Sequence, residues 1–345
     1  MSQTEAPAGQ PTSQPTSKAM NTAAALRNAL DIALGLDEKV ILLGEDIADP
    51  AGGVFKVTNG LSTKHGAHRV RTTPIAEQAI VGASIGAALG GYRPVAEIMF
   101  FDFVTVAMDQ LVNHAAKLRY MTGGATPVPL TVRTTVGSSR FGAQHAQELE
   151  AWFMHVPGLK VVMPSTPSDA KGLLLSCIFD PDPCLFVEHS NLLFSPKEEV
   201  ELADYRIPLG RAAVRREGRD LTAITYGAQV RTVLKAAEKL AEQGVEIEVI
   251  DLRTLSPWDS ETVLASVART RRAAVVHSAT TTAGPGAEIA AVISSELFGG
   301  LDGPVLRLGG TDTPVPFAES LVSVPTTARV VAEIAAAVGA GPRPP

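Results

Sequence analysis

Two stretches of this chain carry side chains whose type and spacing could do chemistry. The first is Arg71-Thr-Thr-Pro-Ile-Ala-Glu77. Here Pro74 opens a segment that turns helical and leaves Glu77 near a helix N-terminus, where the backbone dipole favours an ionised carboxylate. The helix continues with Gly82, Gly86 and Gly90 spaced by four, so one face is bare and another helix can come close to it. A carboxylate at the edge of such a contact is a candidate for buried acid–base work; a plain helix-terminal glutamate gives the same pattern without chemistry. The second stretch, Arg140-Phe-Gly-Ala-Gln-His145, follows an expected strand at 129–133 and a Gly/Ser-bearing loop, where α/β sheets place functional groups. His145 could exchange a proton near neutral pH, or be a surface histidine with no role. Between the two, Glu97-Ile-Met-Phe100-Phe-Asp-Phe103 reads either as core or as a wall on which a flat heterocycle stacks.

The elements that must position these groups follow from periodicity. From Asn21, a plausible cap, Leu26, Leu30, Ala33 and Leu34 recur on one helical face. Short apolar strands at 39–43, 98–99, 129–133, 159–163 and 185–187 alternate with helical patterns, which predicts a largely parallel sheet covered on both faces. Polar, Pro-bearing sequence at 195–210 reads as a linker. Beyond it come a strand at 221–226, a helix at 230–243 and strands at 245–252 and 273–277. The helix shows Val233, Leu234, Ala237, Leu240 and Ala241 on one face and stops at Gly244. The expectation is an α/β chain of two doubly wound domains: a disordered tail at 1–18, a first domain at 19–195, the linker at 196–210 and a second domain at 211–340. A length of 345 residues accommodates both.

Composition narrows the function classes. A formal charge of −6, with no basic stripe, argues against nucleic acid as a partner. Cys177 and Cys184 are the only cysteines, too few for a disulfide scaffold, and each reads as a buried apolar thiol. No run reaches the roughly 18 apolar residues of a membrane span. The first 18 residues, rich in Pro, Ser, Thr and Gln, read as the tail of a cytoplasmic protein. With 45% hydrophobic and 19% charged residues, the apolar balance suggests surface buried against other subunits. Gly284-Pro-Gly286-Ala-Glu-Ile lacks the third glycine of a dinucleotide fingerprint. There is no P-loop, no nucleophile elbow, no metal-spaced His/Cys cluster, and no GDG followed by Asn of the kind that holds magnesium and a diphosphate.

Taken in order, LGEDIADPAGGVFKVTNGL (43–61), RVRTTPIAEQAIVGASIGAA (69–88), the block at 97–124, GAQHAQELEAWF within 142–186, VIDLRTLSPWD (249–259) and VLRLGGTDTPVPF (305–317) resemble the beta subunits of pyruvate, branched-chain 2-oxo-acid and acetoin dehydrogenases. These belong to the transketolase-like thiamine diphosphate superfamily. The resemblance implies a transketolase-like pyrimidine-binding domain followed by a transketolase C-terminal-like domain. The implied activity is oxidative decarboxylation of a 2-oxo acid with acyl transfer to lipoyl groups. Acetoin cleavage, aryl 2-oxo acids as substrates and a non-catalytic assembly subunit are the alternatives.

By the same resemblance, Glu77 hydrogen-bonds the aminopyrimidine N1′ and so stabilises the imino tautomer that deprotonates the thiazolium. Phe103, with Phe100 and Met99 nearby, borders the cofactor, and His145 assists acyl transfer. A structural potassium ion would sit on mostly carbonyl oxygens of Val128, Leu130, Thr131, Cys177, Asp180 and Asp182. The diphosphate and Mg2+ would belong to an alpha subunit, in an alpha-two beta-two heterotetramer docked on a lipoyl acyltransferase core, with the small-residue face of the Gly82 helix in one of those contacts. Two departures stand out. Ala146 replaces a common Ser, and His277-Ser278-Ala279 replaces a common His-Glu-Ala, which removes a charge.

Overall fold

The computed structural model describes residues 16–137, 141–194, 196–318 and 320–339. Asn21 starts the first helix, Thr22–Leu36, by accepting the Ala24 amide on Oδ1 at 2.9 Å, a cap of the kind that contributes about 1 kcal/mol. Leu26, Ala29, Leu30, Ala33 and Leu34 are buried on its inner face. This stripe packs with Leu173, Leu174, Leu175 and Ile178 of the helix Pro167–Phe179 into one of the apolar cores.

That core covers one side of a seven-stranded sheet in the order Thr254–Ser256, Lys160–Val162, Cys184–His189, Thr131–Val136, Arg93–Phe100, Val40–Glu45, Val70–Thr73. Every pairing is parallel except the one at Thr254–Ser256, which lies antiparallel on Lys160–Val162. A second sheet runs Leu306–Gly310, Ala273–Thr280, Leu221–Thr225, Ile247–Asp251, Ala213–Arg216, parallel but for its last strand. The other face of the first sheet shares a core with this second half: Val132, Phe153, Val161 and Leu185 lie in the same apolar cluster as Tyr226, Leu252, Leu255 and Val263.

Several expectations shift. Residues 1–15 of the expected tail lie outside the described residues, whereas Ser17 and Lys18 open the strand Ser17–Met20. That strand pairs antiparallel with Glu198–Glu201, inside the expected linker. The ladder holds because Met20 and Val200 bury against Ala25; one apolar side chain per strand is too weak a pattern to read in advance. The strand Thr254–Ser256, in the second half by sequence, serves the first sheet. Among the described residues the Gly82/Gly86 face is only loosely covered: a methyl group added at Gly82 would meet the Gln110 side chain, at 3.7 Å, at the start of the helical segment Gln110–Ala115, and one at Gly86 would meet nothing within 4 Å. Among the described residues, no helix is long and apolar enough to cross a membrane.

Candidate active site

In an open parallel sheet, ligands bind beyond the carboxyl ends of the strands where the winding reverses. Here the chain passes from Val40–Glu45 outward to Val70–Thr73, then returns to add Arg93–Phe100 on the opposite side, so the reversal lies between Val40–Glu45 and Arg93–Phe100. Glu45 ends the strand Val40–Glu45, opposite Thr73, and four residues after Thr73 the helix Glu77–Leu89 begins. Glu77 is therefore the first residue of a helix whose preceding Ala76 offers no side-chain cap. It is half-buried, and no side chain among the described residues hydrogen-bonds or pairs with it. Burial, then the charges of Asp46 and Glu77, raise Glu45 above the usual carboxylate range. Two carboxyl groups thus stand near one another at the switch point. Sequence alone singles out Glu77 but not Glu45; what brings them together is the strand register.

Phe100 ends the neighbouring strand and splits the aromatic cluster into two roles. Phe101 turns inward and stacks on Phe153 at 5.4 Å, which is core. Phe100 and Phe103 turn outward, half-buried, and His145 sits 5.2 Å from each ring, at 83° and 85°. Phe55 at 5.9 Å and Phe141 at 5.4 Å complete the surround of Phe100. Met99, half-buried, precedes Phe100 in the strand. Neither ring nitrogen of His145 meets a protein hydrogen-bond partner among the described residues, so both are open to a ligand. Arg140, at the start of this motif, lies outside the described residues. Behind the site, Arg133 is sandwiched between Glu97 at 2.7 Å and Glu188 at 2.6 Å, and burial pushes Glu188 up to about 7 against the pull of Arg133.

A second buried polar chain joins the two halves. Tyr226 donates to Glu150 Oε1 at 2.6 Å and stacks on His277 at 6.3 Å; burial, then the Glu148 charge, push Glu150 up to about 8. His277 gives its Nδ1 hydrogen to the Ala279 carbonyl at 2.9 Å, while Nε2 is buried with no partner. Gly286 and Gly309 pack so tightly on the ring that a Cβ at either would come within 2.7 Å of it. Burial lowers the imidazole from 6.5 to about 4. A histidine held neutral contributes stability that is complete above pH 6.5 and drains away as pH falls toward 4. Between pH 7 and pH 5 the chain should lose about 2 kcal/mol through this group. Urea midpoints at the two pH values test this: His277→Gln should flatten the difference, and an unchanged wild-type midpoint would refute it.

Residues 18–195 match the family model for the pyrimidine-binding domain of transketolase, and residues 210–328 the model for its C-terminal domain. A mitochondrial 2-oxoisovalerate dehydrogenase subunit beta of Dictyostelium discoideum is 47% identical over 86% of this chain and 80% of its own length. An acetoin:2,6-dichlorophenolindophenol oxidoreductase subunit beta of Cupriavidus necator is 45% identical, covering 89% and 94%. A pyruvate dehydrogenase E1 component subunit beta of Bacillus subtilis is 45% identical, covering 87% and 93%. The chain belongs to this family of 2-oxo-acid and acetoin dehydrogenase beta subunits. A solved split-gene transketolase, described as an inactive beta4 tetramer, shares the fold of this beta-type chain at a TM-score of 0.73, with 22% identity over 93% of this chain and 99% of that one.

The beta-type departures can now be placed. Ala146 is buried at 1% exposure, so a serine hydroxyl there would need a partner inside the fold. Ser278 is buried and accepts from Gln229 Nε2 at 3.1 Å, a position where a glutamate would bring a buried charge. Around the expected cation, Val128, Leu130, Thr131 and Cys177 are buried, and Thr131 Oγ1 has no partner. The carboxylates of Asp180 and Asp182 are engaged by Lys160 at 2.5 and 3.5 Å. Among the described residues no cluster of His, Cys, Asp or Glu could hold a metal through side chains.

Proposed function

We propose that this chain supplies the pyrimidine side of an active site shared with an alpha-type subunit, for oxidative decarboxylation of a 2-oxo acid with acyl transfer to a lipoyl group. The observation that carries this reading is the unpartnered Glu77 carboxylate at the switch point, with Glu45 beside it and the wall of Phe100 and Phe103 beyond the adjacent strand. Thiamine diphosphate, when bound, supplies the carbanion that attacks the substrate carbonyl and the electron sink for loss of CO2. Glu77 would hold a proton at the pyrimidine N1′, and Phe103 and Phe100, with Met99, would orient the ring. An end of the site bearing Glu45, Asp46 and Glu77 repels phosphate. The diphosphate and its Mg2+ therefore fall to the alpha-type chain, in an alpha-two beta-two assembly.

In the net reaction the bond between C1 and C2 of the 2-oxo acid breaks and CO2 leaves. The electron pair left behind reduces the lipoyl disulfide, so that one sulfur forms the thioester and the other takes a proton. His145 would hand over that proton. The rings of Phe55, Phe100, Phe103 and Phe141 favour a carbon side chain on the substrate over a charged one. At Val128, Leu130, Thr131, Cys177, Asp180 and Asp182 the donor set offers backbone carbonyls plus the Thr131 hydroxyl, which suits K+, with Lys160 already paired to Asp180 and Arg119 to Asp182.

The deciding experiment is turnover by this chain co-expressed with an alpha-type partner, supplied with thiamine diphosphate and Mg2+. Pyruvate, branched-chain and aryl 2-oxo acids and acetoin would be offered, with an artificial electron acceptor. Turnover by the pair and by neither chain alone is expected. A stable, cofactor-loaded pair inert toward every one of these would overturn the reading.

A further inference from the structure

His145 lies in a loop that has little to hold it from within. Between the strand Thr131–Val136 and the helix Glu150–Met154, the described part of the loop makes one internal backbone hydrogen bond, His145 N to Gly142 O at 3.3 Å. Its anchors come from outside and fall two and three residues after the histidine. Asp102 Oδ1 accepts both the Gln147 amide at 3.3 Å and the Gln147 side-chain Nε2 at 2.6 Å. Glu148 meets His189 at 3.3 Å, with both side chains nearly inaccessible. His189 is itself wedged where Gly137 leaves room, since a Cβ there would strike the imidazole at 2.4 Å.

The Asp102 anchor carries the argument. Asp102 is 6% exposed and its second oxygen has no partner, so the bonds from Gln147 offset the cost of burying this carboxylate. Asp102 also belongs to the single turn Phe101–Val104. Of its neighbours in that turn, Phe101 is locked into the core and Phe103 touches the His145 ring. One rigid turn therefore holds both the ring that flanks the imidazole and the carboxylate that fixes the loop carrying it. We infer that Asp102 and Gln147 are positioning residues for His145: their contact sets the imidazole against Phe100 and Phe103, and so controls acyl transfer to the lipoyl group without touching decarboxylation. The inference rests on the role proposed above for His145.

The test uses the assembled complex with its alpha-type partner and two assays. One is decarboxylation coupled to an artificial electron acceptor; the other is acylation of a free lipoyl domain, followed by mass. Q147E sets a carboxylate against Asp102 at an exposed position, so the fold is kept while the loop is pushed off its anchor. A displacement on the order of 1 Å can cost about a hundredfold in a positioned step. Q147E should therefore lower lipoyl acylation by roughly ten- to a hundredfold and leave acceptor-coupled decarboxylation within about twofold. In D102N/Q147E the introduced amide can donate to the introduced carboxylate and still offer a carbonyl to the backbone, and acylation should recover to within roughly fivefold of wild type. Wild-type acylation by Q147E, equal loss in both assays, or no recovery in the double variant would each overturn the inference. H145A run alongside separates the two claims: if H145A acylates normally the role of His145 falls, whereas a defective H145A beside a normal Q147E removes only the anchor.

Discussion

Glu77→Gln, assembled with its alpha-type partner, should lose 2-oxo-acid decarboxylation by a factor of about 100 to 10,000, the range for removing a positioned acid–base group, while the complex still forms and still binds cofactor. The substitution keeps volume and hydrogen-bonding capacity but cannot hold and release a proton. Its structural cost is small, because no side chain among the described residues bonds to Glu77. A carboxylate at an exposed helix N-terminus is worth only about 0.3–1 kcal/mol, and losing the repulsion from Glu45 offsets part of that. The Glu45 carboxyl should fall back toward its ordinary range, since Glu77 is one of the charges raising it. Initial rates with an artificial acceptor, alongside a sedimentation profile of the assembly, give the answer. Activity within a fewfold of wild type would remove Glu77 from the chemistry, and a complex that no longer assembles would make the residue structural.

The second large effect belongs to His145→Ala. The imidazole packs edge-on between Phe100 and Phe103, and among the described residues neither nitrogen has a protein partner, an arrangement that orients the ring and leaves both nitrogens to the substrate. Removing it should slow acylation of a lipoyl domain by about 100- to 10,000-fold, with acceptor-coupled decarboxylation falling less than about tenfold. Equal loss in both assays would move the histidine to the decarboxylation step. Stability should fall modestly: the residue is half-buried, and its truncation removes ring contacts without orphaning a buried polar group.

The sequence makes parts of this site legible for identifiable reasons. Glu77 is legible because Pro74 punctuates the chain two residues ahead of the cap position Ala76, just before a helical pattern begins, and the first helix is placed by Asn21 and a 3.6-residue stripe. Both are local signals, and both elements lie where expected. The strand Ser17–Met20, the strand Glu198–Glu201 and the short strand Thr254–Ser256 are not legible, because each is made by a distant partner. Glu45 is visible as an acid, but only its pairing opposite Thr73 makes it a neighbour of Glu77. The sorting of Phe101 into the core and of Phe100 and Phe103 toward His145 depends on one turn, Phe101–Val104. The anchor of Gln147 on Asp102 spans 45 positions. The long ordered resemblance conveys family and fold; geometry of this kind lies outside its reach.

The strand Thr254–Ser256 gives the chain a seam that its domain order conceals. By pairing antiparallel with Lys160–Val162, it caps a margin of the first sheet that would otherwise present unsatisfied amides and carbonyls to any passing strand. The apolar layer under that margin is built from both halves at once. A recombinant that exchanges halves between relatives at residues 196–210 would therefore inherit a sheet from one parent and its edge guard from the other, and would be soluble only where the two registers agree. For such exchanges the unit of inheritance is the interlocked pair of sheets, and the natural crossover points lie outside it.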